Sequence, residues 1–130
     1  MLAAFVRKHK TLAAMALICL GIAAWNTSTS IRGRIQAHFD IARGHYKILG
    51  YGLTRAWQGE YVRLLKERYG VEYHEEALCI VSKSVVDYVD AYDEVSKAAA
   101  NRKFGRNIFE ETAGDARRSW EHRTGRDLQK

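Results

Sequence analysis

Between Thr11 and Trp25 the chain is apolar without a break (TLAAMALICLGIAAW), and beyond that run apolar residues recur only as stripes. Arg7, Lys8, His9 and Lys10 precede the run, and the small polar tract Asn26–Ser30 follows it. Basic, apolar and polar in that order is the pattern that directs a chain to a membrane and through it. The 15-residue run covers about 23 Å at ~1.5 Å per residue, short of a hydrocarbon core ~30 Å thick. No charge appears between Lys10 and Arg32, however, so the uncharged window extends to Ile31. Thr and Ser hydroxyls can be satisfied on the preceding helical turn, which lets a tilted or locally thinned span reach across.

These features predict an N-terminal signal-anchor over residues 1–30. Thr11, Leu12, Met15, Leu17, Ile18, Leu20 and Ile22 would face lipid, and Trp25 would sit at the interface. The basic flank places the N-terminus inside and the following domain outside, in the periplasm or another extracytoplasmic space, although Arg32, Arg34 and Arg43 weaken that asymmetry. Two alternatives stand. Gly21-Ile22-Ala23 resembles a peptidase site before Ala24, which would release a soluble secreted or periplasmic domain. A buried helix of a soluble protein is the other.

The stripes beyond the run predict a small domain over residues 31–123. Ile35, Phe39 and Ala42 share a helical face within 33–43, and Gly44 ends that helix. Residues 45–53 hold β-prone Tyr46, Ile48 and Tyr51 among glycines, the mark of a short strand running into a turn. Trp57, Tyr61, Leu64, Leu65 and Tyr69 make an amphipathic helix, closed by Gly70 as a left-handed cap. Val71–Tyr73 and Ala77–Val81 read as a second extended segment. Ser84 would cap a long helix from Val85 to about Lys103, with Val85, Tyr88, Val89, Tyr92, Val95 and Ala99 inward and Gly105 as its break. A last helix over 107–122 carries Ile108, Phe109, Ala113, Ala116 and Trp120, and the polar tail from 124 to 130 would fray. Strand, helix, strand is a βαβ unit, so the predicted fold is a helix-rich α+β domain with two short strands and two C-terminal helices. The alternative is all-α, with 45–53 and 71–81 as irregular connections. Proline is absent from the chain, where average usage would give about six, which favours long helices.

Charge changes the picture once it is divided. The formal net charge of +6 includes Arg7, Lys8 and Lys10, and residues 31–130 hold 18 basic and 15 acidic groups. A balance of +3 is ordinary for a domain of this size and gives no support to nucleic acid as a partner. The acidic groups are concentrated: residues 71–96 carry 7 acids and 1 base, between basic segments on either side. Such a middle segment is expected to lie against its basic neighbours within the molecule.

The candidate chemistry is sparse. Cys79 near His74 is the most reactive-looking pair, since a thiolate needs a base or positive charge to form. The local charge is acidic, and Leu78 and Ile80 flank the thiol, so the expected state of Cys79 is a buried core cysteine. Neither H-x-x-x-H nor C-x-x-C occurs, so no metal is expected. No phosphate-binding glycine motif occurs, so no cofactor is expected either. Tyr51, Gly52 and Trp57 follow the first predicted strand, where a βαβ unit would hold a small ligand. Asp87, Asp90 and Glu94 share a helical face that could meet a partner. With no catalytic constellation, the sequence points to a membrane-anchored domain that binds protein or self-associates, with a thiol-active or ligand-binding protein using Cys79 and His74 as the alternative.

Overall fold

A computed structural model describes residues 2–127, with side chains placed for 11–24 and 28–125. Trp25, Arg7, Lys8 and Lys10 fall outside the described side chains, and 128–130 fall outside the described residues. The elements run α1 (Leu2–Thr27), α2 (Thr29–Ala42), β1 (Lys47–Tyr51), α3 (Gln58–Tyr69), β2 (Glu72–Ala77), α4 (Lys83–Phe104) and α5 (Ile108–Asp127). The two strands pair in parallel, so α3 is the crossover of a βαβ unit and the molecule is α+β rather than all-α.

Ile48 and Leu49 are both buried and belong to different cores, because successive strand residues face opposite sides. On one side Ile48 packs with Leu65 of α3, Val71, Ala100 of α4, and Ile108 and Phe109 of α5. On the other, Leu49 packs with Ala37 of α2 and Val89 and Tyr92 of α4. A two-stranded sheet alone is marginal, and helices on both faces supply the burial it lacks.

The turns follow their chemistry. Gly70 and Gly105 adopt φ of +66° and +68° as left-handed C-caps of α3 and α4; that region disfavours any residue with a Cβ. The cap of α4 is Ser82 rather than Ser84: its hydroxyl accepts the Val85 N–H at 3.4 Å. Three further boundaries differ from the sequence pattern. The second strand is Glu72–Ala77 and stops before Leu78, so the acidic residues are in the strand and the apolar stretch Leu78–Val81 is a loop. The last helix continues to Asp127 instead of fraying at Thr124, whose hydroxyl donates to the Trp120 carbonyl at 3.0 Å. The helix expected over 33–43 begins at Thr29, directly after α1.

No described helix is by itself long and apolar enough to cross a membrane. The segments Thr11–Ala24 and Thr29–Ala42, bent by 60° at their junction, meet the length and composition of a span only as a pair. Leu12, Met15, Leu17, Ile18, Leu20 and Ile22 are all more than half exposed, spread around α1.

Candidate functional site

The polar centre of the domain is built where α2 and α4 meet β1. Gly33 of α2 is pressed onto the α4 backbone: a Cβ there would overlap the Tyr88 carbonyl oxygen and sit 3.2 Å from the Tyr92 nitrogen. About two turns along, buried Asp40 accepts the Tyr92 hydroxyl at 2.7 Å and the Gln36 amide at 3.3 Å, with Lys47 Nζ 3.7 Å away. Burial, first, and the hydrogen bond to Asp40 together push the Tyr92 phenol well above its ordinary value.

β2 covers one edge of β1, and α4 side chains cover the other. Asp93 Oδ1 accepts the Leu49 N–H at 2.8 Å, and its second oxygen pairs with Lys97 at 2.7 Å. One turn further along α4, the Ser96 hydroxyl donates to the Lys47 carbonyl. A strand edge that would otherwise be unpaired is thereby closed by two helix side chains. Burial raises the Asp93 carboxyl above the usual range, with the Leu49 N–H and Lys97 opposing it.

Two clefts flank this centre. The first, of about 340 Å³, lies between α2, α4 and the sheet and is lined by Asp40, Lys47, Glu72, His74 and Glu76. The second, of about 250 Å³, opens at the carboxyl end of β1 between Tyr51, Gly52, Arg55, Tyr61 and Lys97. A bulge between Gly50 and Tyr51 re-aims the strand end there, pairing Gly50 with Glu75 and Tyr51 with Ala77. Burial and the field of Asp93 push the phenol of Tyr61, which lines that cleft, up to about 12.

The residues singled out from sequence are dispersed. Tyr51 and Gly52 line the second cleft, whereas Trp57 packs edge-on against Tyr61 at 6.0 Å, with Arg55 over its ring at 5.2 Å. His74 lines the first cleft. Cys79 is exposed in the β2–α4 loop, beside exposed Leu78 and Ile80, so the expectation of a core cysteine is overturned. It fails because the strand takes the polar residues before the loop and leaves the apolar ones outside. No hydrogen bond joins Cys79 to His74 among the described residues.

Of the acidic face on α4, Asp87 pairs with Lys83 at 2.6 Å, Asp90 accepts the Tyr51 hydroxyl at 3.2 Å, and Glu94 pairs with Arg34 at 2.8 Å. The acidic segment is therefore partly neutralised within the molecule, by α2 as well as by its own helix.

Asp40 and Asp93, the two carboxylates that organise the centre, carried no motif. Asp93 has a positional signal, as an acid on the buried face of α4 beside Val89, whereas Asp40 lies opposite the apolar stripe of α2, among Gly33 and Ala37. A third polar anchor, Glu60 on α3, accepts Arg63 at 2.7 Å, Arg123 of α5 at 3.0 Å and Ser119 at 3.2 Å. Its carboxyl is held at about 2, chiefly by the Arg63 guanidinium. Among the described residues no group of three His, Cys, Asp or Glu side chains is placed to hold a metal ion. The chain matches no protein-family model, no curated protein and no solved structure.

Proposed function

We propose that this chain is a small membrane-anchored protein whose domain, residues 31–123, is displayed outside the membrane and works by binding protein. The observation that carries the reading is α1. Its described aliphatic side chains, from Leu12 to Ile22, are exposed on all sides, and an uncovered apolar stretch of that kind requires lipid or a partner. The basic residues before it and the polar tract after it favour lipid.

Protein binding is supported by the loops at the carboxyl ends of the parallel strands. Leu53, after β1, is 90% exposed, and Leu78 and Ile80, after β2, are 61% and 92% exposed. Parallel strands bring both loops to one end of the sheet, so three uncovered aliphatic side chains share it, the composition of a protein contact.

The test uses the full chain with a C-terminal epitope in cells. It is expected in membranes that resist alkaline carbonate, with the epitope digested by external protease. Photo-crosslinking residues at Leu53 and Ile80 should give discrete adducts that the same residue at Glu110 does not. Carbonate extraction would overturn the anchor and a protected epitope its orientation; crosslinking no better at 53 and 80 than at 110 would overturn the docking surface.

Exposed Cys79 favours a second reading, in which the thiol itself reacts with a partner. Native alkylation as fast as that of the unfolded chain supports it, and reaction only after unfolding eliminates it.

A further inference from the structure

The helix that follows the membrane segment has two opposite faces, and only one is used by the domain. Gly33, Ala37 and Asp40 are buried against α4. Ile31, Ile35 and Phe39 succeed one another at four-residue steps on the other side and are 50–58% exposed. At 3.6 residues per turn such a row drifts only slightly around the helix, so the three form one continuous apolar stripe. Polar residues rim it: Arg32 and Arg43 fall to one side, His38 and Arg34 to the other, Arg34 being paired with Glu94 of α4. Apolar centre with basic margins is the pattern of a helix lying in a membrane interface, its arginines reaching back to headgroup phosphates.

Geometry gives the stripe its occupant. α2 begins two residues after α1 ends and is bent from it by 60°. With α1 along the bilayer normal, α2 rises about 30° from the membrane plane, and the ordinary tilt of spanning helices, ~20° and up to ~40°, can bring it into that plane. Its 14 residues then run about 21 Å along the surface. The hydrocarbon interior is excluded as a home for α2, because its other face is packed on α4 and carries Asp40.

We infer that α2 is an interfacial helix: Ile31, Ile35 and Phe39 dip into the acyl–headgroup boundary, Arg32 and Arg43 meet anionic headgroups, and the domain is thereby held down on the bilayer. The inference rests on the membrane-anchor reading of α1, and the experiment separates the two. The full chain with Cys19→Ser and Cys79→Ser receives single cysteines by Leu17→Cys, Ile35→Cys, Phe39→Cys or Glu110→Cys. All four positions are exposed, so the packed faces are untouched. Each is labelled with an environment-sensitive fluorophore and reconstituted in vesicles of equal parts phosphatidylcholine and phosphatidylglycerol, with lipids brominated either high or deep on the acyl chain.

The expected result is deep quenching at 17, shallow quenching at 35 and 39, and none at 110. Quenching at 17 with none at 35 and 39 overturns the interfacial helix and leaves the anchor standing. No quenching at 17 removes the anchor and this inference with it. Quenching at 35 and 39 as deep as at 17 also overturns it, by making α2 part of the span. So does a blue-shifted label at 35 that lipid does not quench, with the unlabelled Ile35→Cys chain forming a 35–35 disulfide under oxidant, the result of a second copy covering the stripe.

Discussion

Gly33 is the position where one methyl group reports on the whole arrangement of α2 against α4. A Cβ at this site would overlap the Tyr88 carbonyl oxygen and crowd the Tyr92 nitrogen at 3.2 Å and the Tyr88 carbonyl carbon at 3.3 Å. These are backbone atoms in mid-helix and have no rotamer to escape into. Restoring contact distances requires the helices to part by about 1 Å. That movement also stretches the Tyr92–Asp40 hydrogen bond from 2.7 Å beyond its useful range. Overpacking of this kind costs about 1–3 kcal/mol, and loss of the buried hydrogen bond adds about 1 kcal/mol. The gain in helix propensity from Gly to Ala returns about 1 kcal/mol. Gly33→Ala is therefore expected to destabilise the domain by about 1–3 kcal/mol. Gly114→Ala in α5 is the matched control: its Cβ meets only the far end of the Arg118 side chain, at 3.4 Å, and it should stabilise by about 0.5–1 kcal/mol. Guanidinium unfolding of the full chain in mild detergent, followed by near-ultraviolet dichroism, reads both. A Gly33→Ala midpoint equal to or above the wild type would refute the close approach of the two helices.

Three other outcomes are expected from the same measurement. The Thr112 hydroxyl is buried without a hydrogen-bond partner among the described residues, so Thr112→Val should be neutral or stabilising by up to about 1 kcal/mol; clear destabilisation would mean the hydroxyl is satisfied. Asp93→Ala should cost about 2–3 kcal/mol by orphaning the Leu49 N–H, while Asp93→Asn, which keeps an acceptor, should cost less than half of that; equal losses would show that Lys97 rather than the strand edge matters. Glu60 binds its proton less tightly folded, at about 2, than unfolded, near 4.5. Its contribution is therefore complete above about pH 4.5 and disappears as the pH falls toward 2. Glu60→Gln should accordingly be less stable than wild type at neutral pH and equal to it near pH 2, and a gap that persists in acid would contradict the α3–α5 network.

Local pattern carried most of the architecture. An extended segment, an amphipathic helix closed by Gly70 and a further extended segment suffice to specify β1 and α3 and to put a second strand after them, through β-prone Tyr46, Ile48 and Tyr51 and the helical stripe through Leu64 and Leu65. Periodicity failed at 71–81, where Glu72–Ala77 is polar and Leu78–Val81 is apolar. There tertiary pairing with β1 overrides composition: the polar stretch finds a partner strand in register, and the apolar stretch reaches past the end of it. Cys79 was misplaced for the same reason.

The polar centre was not legible, since Asp40 and Asp93 matter through residues 52 and 44 positions away, a relation that no local spacing encodes. The second face of α2 was half legible: Ile35 and Phe39 stood out as a stripe, but a stripe in sequence does not say whether it faces the core. Here the core is on the other side, and the visible stripe is the one left uncovered.

The intact mass of the chain recovered from carbonate-washed membranes tests the membrane-anchor account most directly. Retention of the uncleaved anchor predicts the full 14.8 kDa in the membrane pellet. A species beginning at Ala24, or the full chain in the soluble fraction, would contradict it.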